Sequence, residues 1–280
     1  MTDTIEAVFD TVAATAGDVR TVLSSRRSYE AAENPSGEQQ LAADVYADEQ
    51  LEDELLALAE VGSYASEERE SVSTDTGAYH VACDPLDGSS NLKSNNSMGT
   101  IVGIYDEPLP APGDALVAAG YVLYGPITTM VTAVDESVTE YLIEDGEREV
   151  LSEDVQLPDD PVVYGFGGRV PDWPTEFGAY VDDIEDERLK LRYGGAMVAD
   201  VNQVVTYGGL FGYPMLADRP NGKLRLQFEG QPMAYIIETA GGASSDGTES
   251  LLDKTPDGLH SRTPVFVGNE SLIAGLESKL

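Results

Sequence analysis

The sequence predicts an α/β chain in two domains, with a helical segment first, then a largely antiparallel sheet, then a region in which strands and helices alternate. Three observations lead to this prediction. Apolar residues recur at three- and four-residue steps within 5–23 and again within 41–58, which is the spacing of one helix face. Short β-branched and aromatic runs occupy 79–143. Beyond Pro158, strand-like runs are separated by helix-like ones.

Each element follows from its local pattern. Residues 1–30 are predicted to form a packing helix with Thr2 or Thr4 as its N-cap, and a second helix runs from about residue 41 to near Gly62. A turn at 34–37 separates the two. The predicted strands of the first sheet are 79–83, 100–105, 116–124, 127–134 and 138–143. In the second half we predict strands at 162–166, 210–213 and 223–228 and helices at 196–206 and 232–240.

The run Leu157-Pro158-Asp159-Asp160-Pro161 interrupts the pattern and marks the predicted domain boundary. We therefore expect one domain at 1–157 and another at 158–280. A chain of 280 residues is long enough for two domains that share an interface and bury a substantial core.

The charge of the chain excludes two classes of partner. It has 51 acidic and 16 basic residues, a formal charge of −35. Binding to nucleic acid or to an anionic membrane requires clustered Lys and Arg, so neither is expected as a partner. An apolar content of 41% with strong periodicity argues against disorder. Adaptation to a very salty cytoplasm explains the charge, because molar salt shortens the Debye length to ~3 Å and screens surface charges from one another.

Cysteine usage and the lack of a targeting pattern indicate the compartment. Cys83 is the only cysteine, which excludes an internal disulfide, fits a reducing compartment and suggests a small buried strand residue. The first residues show no basic region followed by an apolar core, and no run of about eighteen apolar residues occurs. We expect a cytoplasmic protein.

The most informative stretch is Asp84-Pro85-Leu86-Asp87-Gly88-Ser89-Ser90-Asn91, which ends a predicted strand. Carboxylates three residues apart across a proline-containing turn can converge on one hard cation, and magnesium prefers oxygen ligands. The following Gly-Ser-Ser-Asn offers consecutive backbone N–H groups and two hydroxyls, which suit the oxygens of a phosphate. An acidic loop with an Asx-turn explains the same residues, so the residue types alone leave both interpretations open.

This stretch resembles the metal-binding signature of class I fructose-1,6-bisphosphatases, which belong to the inositol-monophosphatase-like superfamily of sugar phosphatases. The blocks 192–201, 207–214, 221–229 and 232–242 are similar to the substrate half of that family. Together the similar blocks cover most of the chain between about residue 37 and residue 242. The acidic composition fits a halophilic archaeal type.

The resemblance implies a layered α-β-α-β-α sandwich, with the active site between an N-terminal metal-binding phosphatase domain and a C-terminal α/β substrate-binding domain. By motif position it assigns two or more Mg²⁺ ions per subunit to Glu67, Asp84, the carbonyl of Leu86, Asp87 and Glu229. It also places Glu38 and Asp44 near a third metal and the attacking water, although the family usually has aspartate where Glu38 stands. Either Glu68 or Asp44 would activate the water, and the sequence does not rank them.

The same resemblance implies the substrate contacts. They are Gly88, Ser89, Ser90 and Asn91 on a phosphate, Lys223 on the sugar and its 6-phosphate, Tyr213 on the 6-phosphate, Arg225 near the 1-phosphate, and Arg192 with Tyr193 beside it. Because Lys223 and Arg225 alternate on a predicted strand, we expect them to point to opposite faces. Arg192 matches an arginine that reaches into a neighbouring subunit's site, which implies a homo-oligomer, either a dimer or a tetramer.

Three departures from the family pattern qualify these expectations. Ala78 and Asp106 stand near positions where animal-type members have basic residues that bind AMP, so we expect no AMP inhibition. The segment 164–169 falls where the family has an asparagine and a tyrosine that contact the 6-phosphate, and those two side chains are missing here. Arg169 either supplies the lost contact or is a surface residue. Asp218 replaces a lysine that helps to neutralise the substrate.

The resemblance implies hydrolysis of the 1-phosphate of fructose 1,6-bisphosphate by a magnesium-activated water, as in gluconeogenesis. Within enzymes, the alternatives are a sedoheptulose-1,7-bisphosphatase and a broad sugar- or inositol-phosphate phosphatase. A catalytically silent sugar-phosphate sensor and an acidic cation buffer are alternatives from other classes. His80 and His260 have no neighbours in sequence that suggest nucleophilic catalysis, so we interpret both as structural or surface residues.

Salt should stabilise this protein. In dilute buffer its 51 acidic side chains repel one another over a longer range, which destabilises the compact state. We expect the melting temperature, measured by calorimetry at fixed pH, to rise between low and molar KCl. Sucrose, which does not screen charge, is the control. A melting temperature that stays level or falls as KCl is added contradicts the adaptation to high salt.

Overall fold

Two main β-sheets and three helical layers make up the fold. The computed structural model describes residues 2–26, 28–33, 35, 39–70, 72–73 and 76–280. Within them the α-helices are α1 (Thr2–Val22), α2 (Ala42–Leu56), α3 (Thr175–Asp186), α4 (Met197–Tyr207), α5 (Gln231–Thr239) and α6 (Glu270–Glu277). The strands are β1 (Tyr29–Glu33), β2 (Gln39–Leu41), β3 (Val61–Ser66), β4 (Val72–Ser73), β5 (Tyr79–Asp87), β6 (Met98–Tyr105), β7 (Leu116–Tyr124), β8 (Thr128–Val134), β9 (Ser137–Glu144), β10 (Glu147–Ser152), β11 (Val163–Phe166), β12 (Lys190–Leu191), β13 (Gly209–Tyr213), β14 (Leu224–Arg225), β15 (Ala243–Ser245), β16 (Arg262–Thr263) and β17 (Val265–Gly268).

The larger sheet has the strand order β10-β9-β8-β7-β6-β5-β3-β4. Its described neighbours pair antiparallel, except that β3 and β5 run parallel. Because side chains alternate across a strand, Val81 and Cys83 of β5 pack with α1 and α2, whereas Ala82 joins the core on the other face. Ile5 and Phe9 of α1 lie four residues apart, and both are buried against this sheet.

The second face of the larger sheet packs on α4 and α5, which also cover the smaller sheet of order β12-β11-β13-β17-β15. One core joins Tyr121 of β7, Val201 of α4 and Phe211 of β13. On the outer face of the smaller sheet, the ring centroids of Phe166 in β11 and Phe177 in α3 lie 5.1 Å apart. Helix α6 packs beside α3 in the same layer. The layers therefore alternate between helices and sheets, which confirms the predicted α-β-α-β-α sandwich.

Most of the predicted elements are confirmed, and the differences have local causes. The first helix ends at Val22 instead of near residue 30, because its apolar spacing stops at Leu23 and β1 follows. β3 was not predicted, since Gly62 and Ser63 give it little β-branched character and its pairing with β5 forms it. The other elements that the sequence analysis left unassigned are β1, β2, β4, β10, β12, β15, β16, β17, α3 and α6.

The strand predicted at 223–228 is wrong over most of its length. Leu224–Arg225 is extended as β14, and Leu226–Gly230 forms a π-helical turn that leads into α5. Leu226 and Phe228 are buried in this turn. A short apolar run is buried equally well as strand or as turn, so hydrophobicity alone did not separate the two conformations.

Two further expectations concern burial and membranes. Cys83 is fully buried in β5, as predicted. Within the part of the chain that the structure describes, no helix combines the length and the apolar character that crossing a lipid bilayer requires.

Candidate active site

A cavity of about 630 Å³ lies at the carboxyl ends of β3 and β5. Its other walls come from the first residues of α4, from β13 and from the segment around β14. Most of the predicted site residues line it. They are Asp44, Glu67, Glu68, Asp84, Leu86, Asp87, Gly88, Ser89, Ser90, Tyr193, Tyr213, Lys223, Arg225 and Glu229. Of the remaining predictions, Asn91 and Arg192 are described but do not line the cavity, and Glu38 lies outside the described residues. One cavity therefore collects both the acidic and the cationic parts of the predicted site.

Three buried carboxylates form the acidic part of the cavity. Glu67, Asp84 and Glu229 each offer an oxygen, and these oxygens lie within 4.8 Å of one another. Glu67 directly follows β3, and its backbone N–H donates to the carbonyl of Cys83 in β5 at 3.1 Å. Because β3 and β5 are parallel neighbours, their carboxyl ends lie at the same edge of the sheet. The topology thus brings Glu67 beside Asp84.

A β-bulge turns Asp87 toward the same cavity as Asp84. β5 continues to Asp87, so the proline-containing turn predicted there is part of a strand. Asp84 pairs with Ile101 of β6 and Asp87 pairs with Gly99, so an advance of three residues along β5 corresponds to only two residues along β6. On a regular strand, residues three apart point to opposite faces of the sheet. The extra residue in the bulge lets the side chains of Asp84 and Asp87 lie on the same side. Thr100 supports the bulge by donating its hydroxyl to the carbonyl of Pro85 at 2.9 Å.

The π-helical turn Leu226–Gly230 places Glu229, and turns of this type often occur at functional sites. Glu229 Oε2 accepts the backbone N–H of Arg225 at 2.6 Å, and the buried Arg225 guanidinium lies 2.8 Å from Glu67 Oε1. Lys223 lines the same cavity as Arg225, so the predicted opposite orientation of these two residues is wrong. The reason is that β14 has two residues and begins after Lys223, so strand alternation does not apply to the pair.

Burial and mutual repulsion raise the pKa values of Glu229, Asp84 and Asp87. Burial together with the charge of Glu67 raises the pKa of Glu229 to about 8 and the pKa of Asp84 well above its usual range. Burial also raises the pKa of Asp87 to about 7, although backbone N–H groups at the start of α4 offset part of the rise. The charge of Arg225 lowers the pKa of Glu229 and so offsets part of the rise, and further positive charge between the carboxylates would act in the same direction.

The acid cluster fits a divalent metal ion. Hard divalent cations prefer carboxylate oxygens, and converging buried carboxylates are unfavourable without positive charge between them. Glu67, Asp84 and Glu229 are therefore the residues that would hold a metal, with Asp87 and Leu86 beside them on the bulge.

Two further acids border the cluster. Asp44 lies in the first turn of α2, where its Oδ2 accepts the backbone N–H of Leu41 at 2.7 Å, and burial raises its pKa to about 7. Burial, with the charges of Asp44 and Glu67, raises the pKa of Glu68 to about 8. Gln40 Nε2 donates to Glu68 Oε2 at 2.5 Å and so orients this carboxyl group. Acids with pKa values near neutrality can accept or release a proton at the working pH.

Arg69 fixes the loop that carries Glu67 and Glu68. Its Nε donates to Asp48 Oδ2 at 2.6 Å, which ties the loop to α2. Its carbonyl oxygen lies 3.0 Å from Nε2 of His260, in the C-terminal half. This contact agrees with the interpretation of His260 as a structural residue. The loop is thus held by both halves of the chain.

Tyrosines and cations line the rest of the cavity. Lys223 Nζ lies 5.6 Å from the ring centroid of Tyr213. Arg219 also lines the cavity, and the sequence analysis did not predict it, since no motif singles it out. The full set of missed lining residues is Lys93, Gly195, Ala196, Met197, Asp200, Phe211, Arg219 and Leu224. Asp200 had a usable signal, an acid in the first turn of a predicted helix.

Asn91 and Arg192 have contacts outside the cavity. Asn91 Nδ2 donates to the carbonyls of Ser97 and Gly194, each at 2.9 Å. Arg192 is exposed, and its backbone N–H donates to the carbonyl of Tyr164 at 2.7 Å, which extends the pairing of β12 with β11. Phosphate binding by either side chain stays a prediction.

The raised pKa values predict that stability falls with rising pH when no metal is bound. Asp44 and Asp87 have folded pKa values of about 7, and Glu68 and Glu229 of about 8. An acid whose pKa is raised by folding stabilises the native state below its unfolded pKa of about 4, and this contribution is lost as the pH rises through the folded value. We expect the melting temperature in chelator and molar KCl to fall between pH 6 and 8.5.

A divalent cation should flatten this pH dependence, because it replaces the protons on the acid cluster. Mg²⁺ is the cation to add, at fixed ionic strength, with the chelator-treated protein as the control. Exposed carboxyl groups titrate near pH 4 and contribute little in this window. A melting temperature that is independent of pH in chelator, or equally pH-dependent with Mg²⁺, contradicts the assignment of the cluster.

Comparison with known proteins agrees with this geometry. The family models of the N-terminal and the C-terminal domain of fructose-1-6-bisphosphatase match residues 5–151 and 157–280. A Natronomonas pharaonis protein named fructose-1,6-bisphosphatase class 1 is 66% identical over 283 residues, covering 100% of each chain. A Halobacterium salinarum protein of the same name is 58% identical over 283 residues, covering 100% of this chain and 98% of its own.

A solved structure shows the same architecture at lower identity. The crystal structure of Leishmania major fructose-1,6-bisphosphatase in holo form matches with a TM-score of 0.93 and 27% identity, covering 98% of this chain and 94% of that one. The family models and the archaeal relatives confirm the resemblance on which the sequence analysis depended. The chain belongs to the class 1 fructose-1,6-bisphosphatase family.

Proposed function

We propose that this protein hydrolyses the 1-phosphate of D-fructose 1,6-bisphosphate to give fructose 6-phosphate and inorganic phosphate, a reaction of gluconeogenesis. The observation that carries the proposal is one cavity lined both by the acid cluster of Glu67, Asp84 and Glu229 and by Tyr213 and Lys223. A sugar with two phosphates has one ester for the metal-binding acids and a second phosphate for the lysine and the tyrosine. The names of the archaeal relatives support the same substrate.

Two or more Mg²⁺ ions are proposed at the acid cluster, held by Glu67, Asp84 and Glu229 with Asp87 and the carbonyl of Leu86. When bound, magnesium supplies positive charge that lowers the pKa of water and stabilises the departing sugar oxygen. The protein holds the acids in place beforehand, since Glu229 is tied to the backbone of Arg225 and Glu67 to its guanidinium. Burial keeps these contacts away from bulk water.

Either Glu68 or Asp44 is proposed to accept the proton of the attacking water. Their raised pKa values place both near the proton-transfer range at neutral pH, and Gln40 fixes the direction of the Glu68 carboxyl group. Burial is the main cause of both shifts, and the charge of Asp44 adds to the rise in the pKa of Glu68. A role for Glu38 beside them stays a prediction.

Gly88 is proposed to bring the phosphate close to the backbone. Its φ of +72° is in the left-handed region, and an added Cβ would lie 2.2 Å from the Cβ of Ala196. The turn that Gly88 makes brings Ser89 and Ser90 to the cavity wall. Their hydroxyl and N–H groups can donate to the phosphate under attack.

The second phosphate is proposed to contact Lys223, Tyr213 and Arg219. Arg219 is half-buried, and its turn is closed by mutual backbone hydrogen bonds with Leu216 at 2.9 and 3.1 Å. The family pattern has a lysine where this chain has Asp218. Arg219 is the next residue, and its guanidinium can restore the positive charge that this lysine would supply. Arg169, the other candidate, is exposed and is not among the described residues that line the cavity.

A cytoplasmic homo-oligomer, a dimer or tetramer, is proposed as the working form, with Arg192 reaching into a neighbouring subunit's cavity. Arg192 is exposed beside β12, an edge strand of the smaller sheet. Leu191 and Tyr193, on either side of it, are 66% and 46% exposed. Large apolar side chains exposed at a sheet edge support contact with another subunit.

Phosphate release in molar KCl tests the proposed function. We expect Mg²⁺-dependent release of one phosphate from fructose 1,6-bisphosphate and little from fructose 6-phosphate or inositol 1-phosphate. Asp87→Asn, which conserves volume but removes charge from the cluster, should lose at least 100-fold in kcat. Equal rates on the monophosphates favour a broad phosphatase, preference for sedoheptulose 1,7-bisphosphate favours that alternative, and binding without release favours a silent sensor.

Arg219 should matter more than Arg169. Arg219→Ala removes a cation from the second phosphate and should raise KM for fructose 1,6-bisphosphate about tenfold, with kcat changed less than threefold. Arg169→Ala removes the same charge outside the cavity and should behave as wild type. Steady-state kinetics of both variants decide between them, and a larger effect at Arg169 refutes the assignment.

A further inference from the structure

The turn between β12 and α4 is held from two directions. The carbonyl of Gly194 accepts hydrogen bonds from Asn91 Nδ2 at 2.9 Å and from Asn96 Nδ2 at 3.0 Å. Asp200, in the first turn of α4, accepts the backbone N–H of Gly194 at 2.6 Å and that of Gly195 at 3.2 Å. Side chains from both halves of the chain therefore fix Gly194 and Gly195, which we call the glycine turn.

Asn91 belongs to the same segment as the metal-binding aspartates. Its backbone N–H donates to the carbonyl of Gly88 at 2.8 Å, and its Nδ2 also donates to the carbonyl of Ser97 at 2.9 Å. These bonds set the direction of the side chain within its own loop. The amide that reaches Gly194 is thus a rigid extension of the N-terminal half.

A second link joins the two halves on the far side of the glycine turn. Asp87 Oδ2 accepts the backbone N–H of Val198 in α4 at 2.6 Å. Gly88 and Ala196 pack so closely that no side chain fits at Gly88. With contacts on both sides, the glycine turn cannot move independently of the segment that carries Asp84 and Asp87.

The glycine turn also carries a wall of the substrate cavity. Tyr193 immediately precedes it, and both Tyr193 and Gly195 line the cavity together with Tyr213 and Lys223. Gly195 has a φ of +82°, a left-handed conformation that glycine adopts without strain. The position of Tyr193 relative to the acid cluster therefore depends on the bonds that hold the glycine turn, and Asn91 supplies one of the two amide bonds to Gly194.

We propose that Asn91 is a positioning residue that sets the separation between the two phosphate-binding ends of the cavity. It holds the glycine turn, and with it Tyr193, at the distance from the acid cluster that spans the two phosphates of one sugar. Its amide contacts protein carbonyls instead of phosphate. Preference for esters with a second phosphate follows from this spacing, so the inference deepens the proposed function and rests on it.

Asn91→Ala removes the amide and is the first variant to measure. We expect KM for fructose 1,6-bisphosphate and the inhibition constant of fructose 6-phosphate each to rise about tenfold. The inhibition constant of inorganic phosphate and the Mg²⁺ concentration for half-maximal rate should stay within twofold, since both report on the acidic end. In calorimetry, stabilisation by fructose 6-phosphate should weaken while stabilisation by inorganic phosphate persists.

Asn95→Gly is the matched control. It removes an exposed amide from the same loop at a φ of 55°, which glycine adopts freely, and no described contact joins Asn95 to Gly194. We expect it to behave as wild type in every assay. If Asn91→Ala does not fold, Asp200→Asn probes the glycine turn from the other side and should give the same pattern.

The outcomes separate the inference from its alternatives. A selective loss of fructose 6-phosphate binding in Asn91→Ala or Asp200→Asn supports the positioning role. An equal loss of inorganic phosphate binding overturns it in favour of direct phosphate contact, a parallel loss of Mg²⁺ response shows a merely structural role, and wild-type behaviour also overturns it. Wild-type protein that neither hydrolyses fructose 1,6-bisphosphate nor binds fructose 6-phosphate refutes the proposed function itself.

Discussion

Repulsion among buried carboxylates is the constraint on which the rest of the structure depends. Glu67, Asp84 and Glu229 converge within 4.8 Å, and burial raises the pKa of the last two. The chain holds such a cluster by tying its acids to backbone N–H groups and one guanidinium, as at Glu229 and Arg225. These bonds fix geometry without cancelling the repulsion, so the site is prepared for cations. The parallel β3–β5 pair and the bulge in β5 serve that convergence.

Local patterns predicted α1, α2, α4 and α5 and the long strands β5 to β9, because apolar side chains recur there at the period of a helix or a strand. The same patterns missed β3, whose small residues are extended only because β5 pairs with them. They also misplaced Lys223 and Arg225, since a π-helical turn follows a two-residue strand there. The acids of the site other than Asp200 were found through motif resemblance, whereas Arg219, which also lines the cavity, required the folded chain.

Four of the 16 basic residues, Lys93, Arg219, Lys223 and Arg225, line one cavity. Seven acidic residues line the same cavity, so these four cations offset only part of its negative charge. The salt that screens the acidic surface also weakens exposed attractions to phosphate. Burial limits that loss at Arg225, which is 2% exposed. Directional hydrogen bonds from hydroxyls and N–H groups are less sensitive to salt, which favours a phosphate site that combines them with cations.

The two halves of the chain contribute different chemistry, and neither holds a complete site. Glu67 and Asp84 come from the larger sheet, and Glu229 comes from the turn before α5. The acid cluster therefore forms only when the two halves are in contact. The same docking brings Asp87 to Val198 and Asn91 to Gly194. A shift between the halves would change the geometry of the acid cluster and its distance from Tyr193 together, since the same contacts hold both.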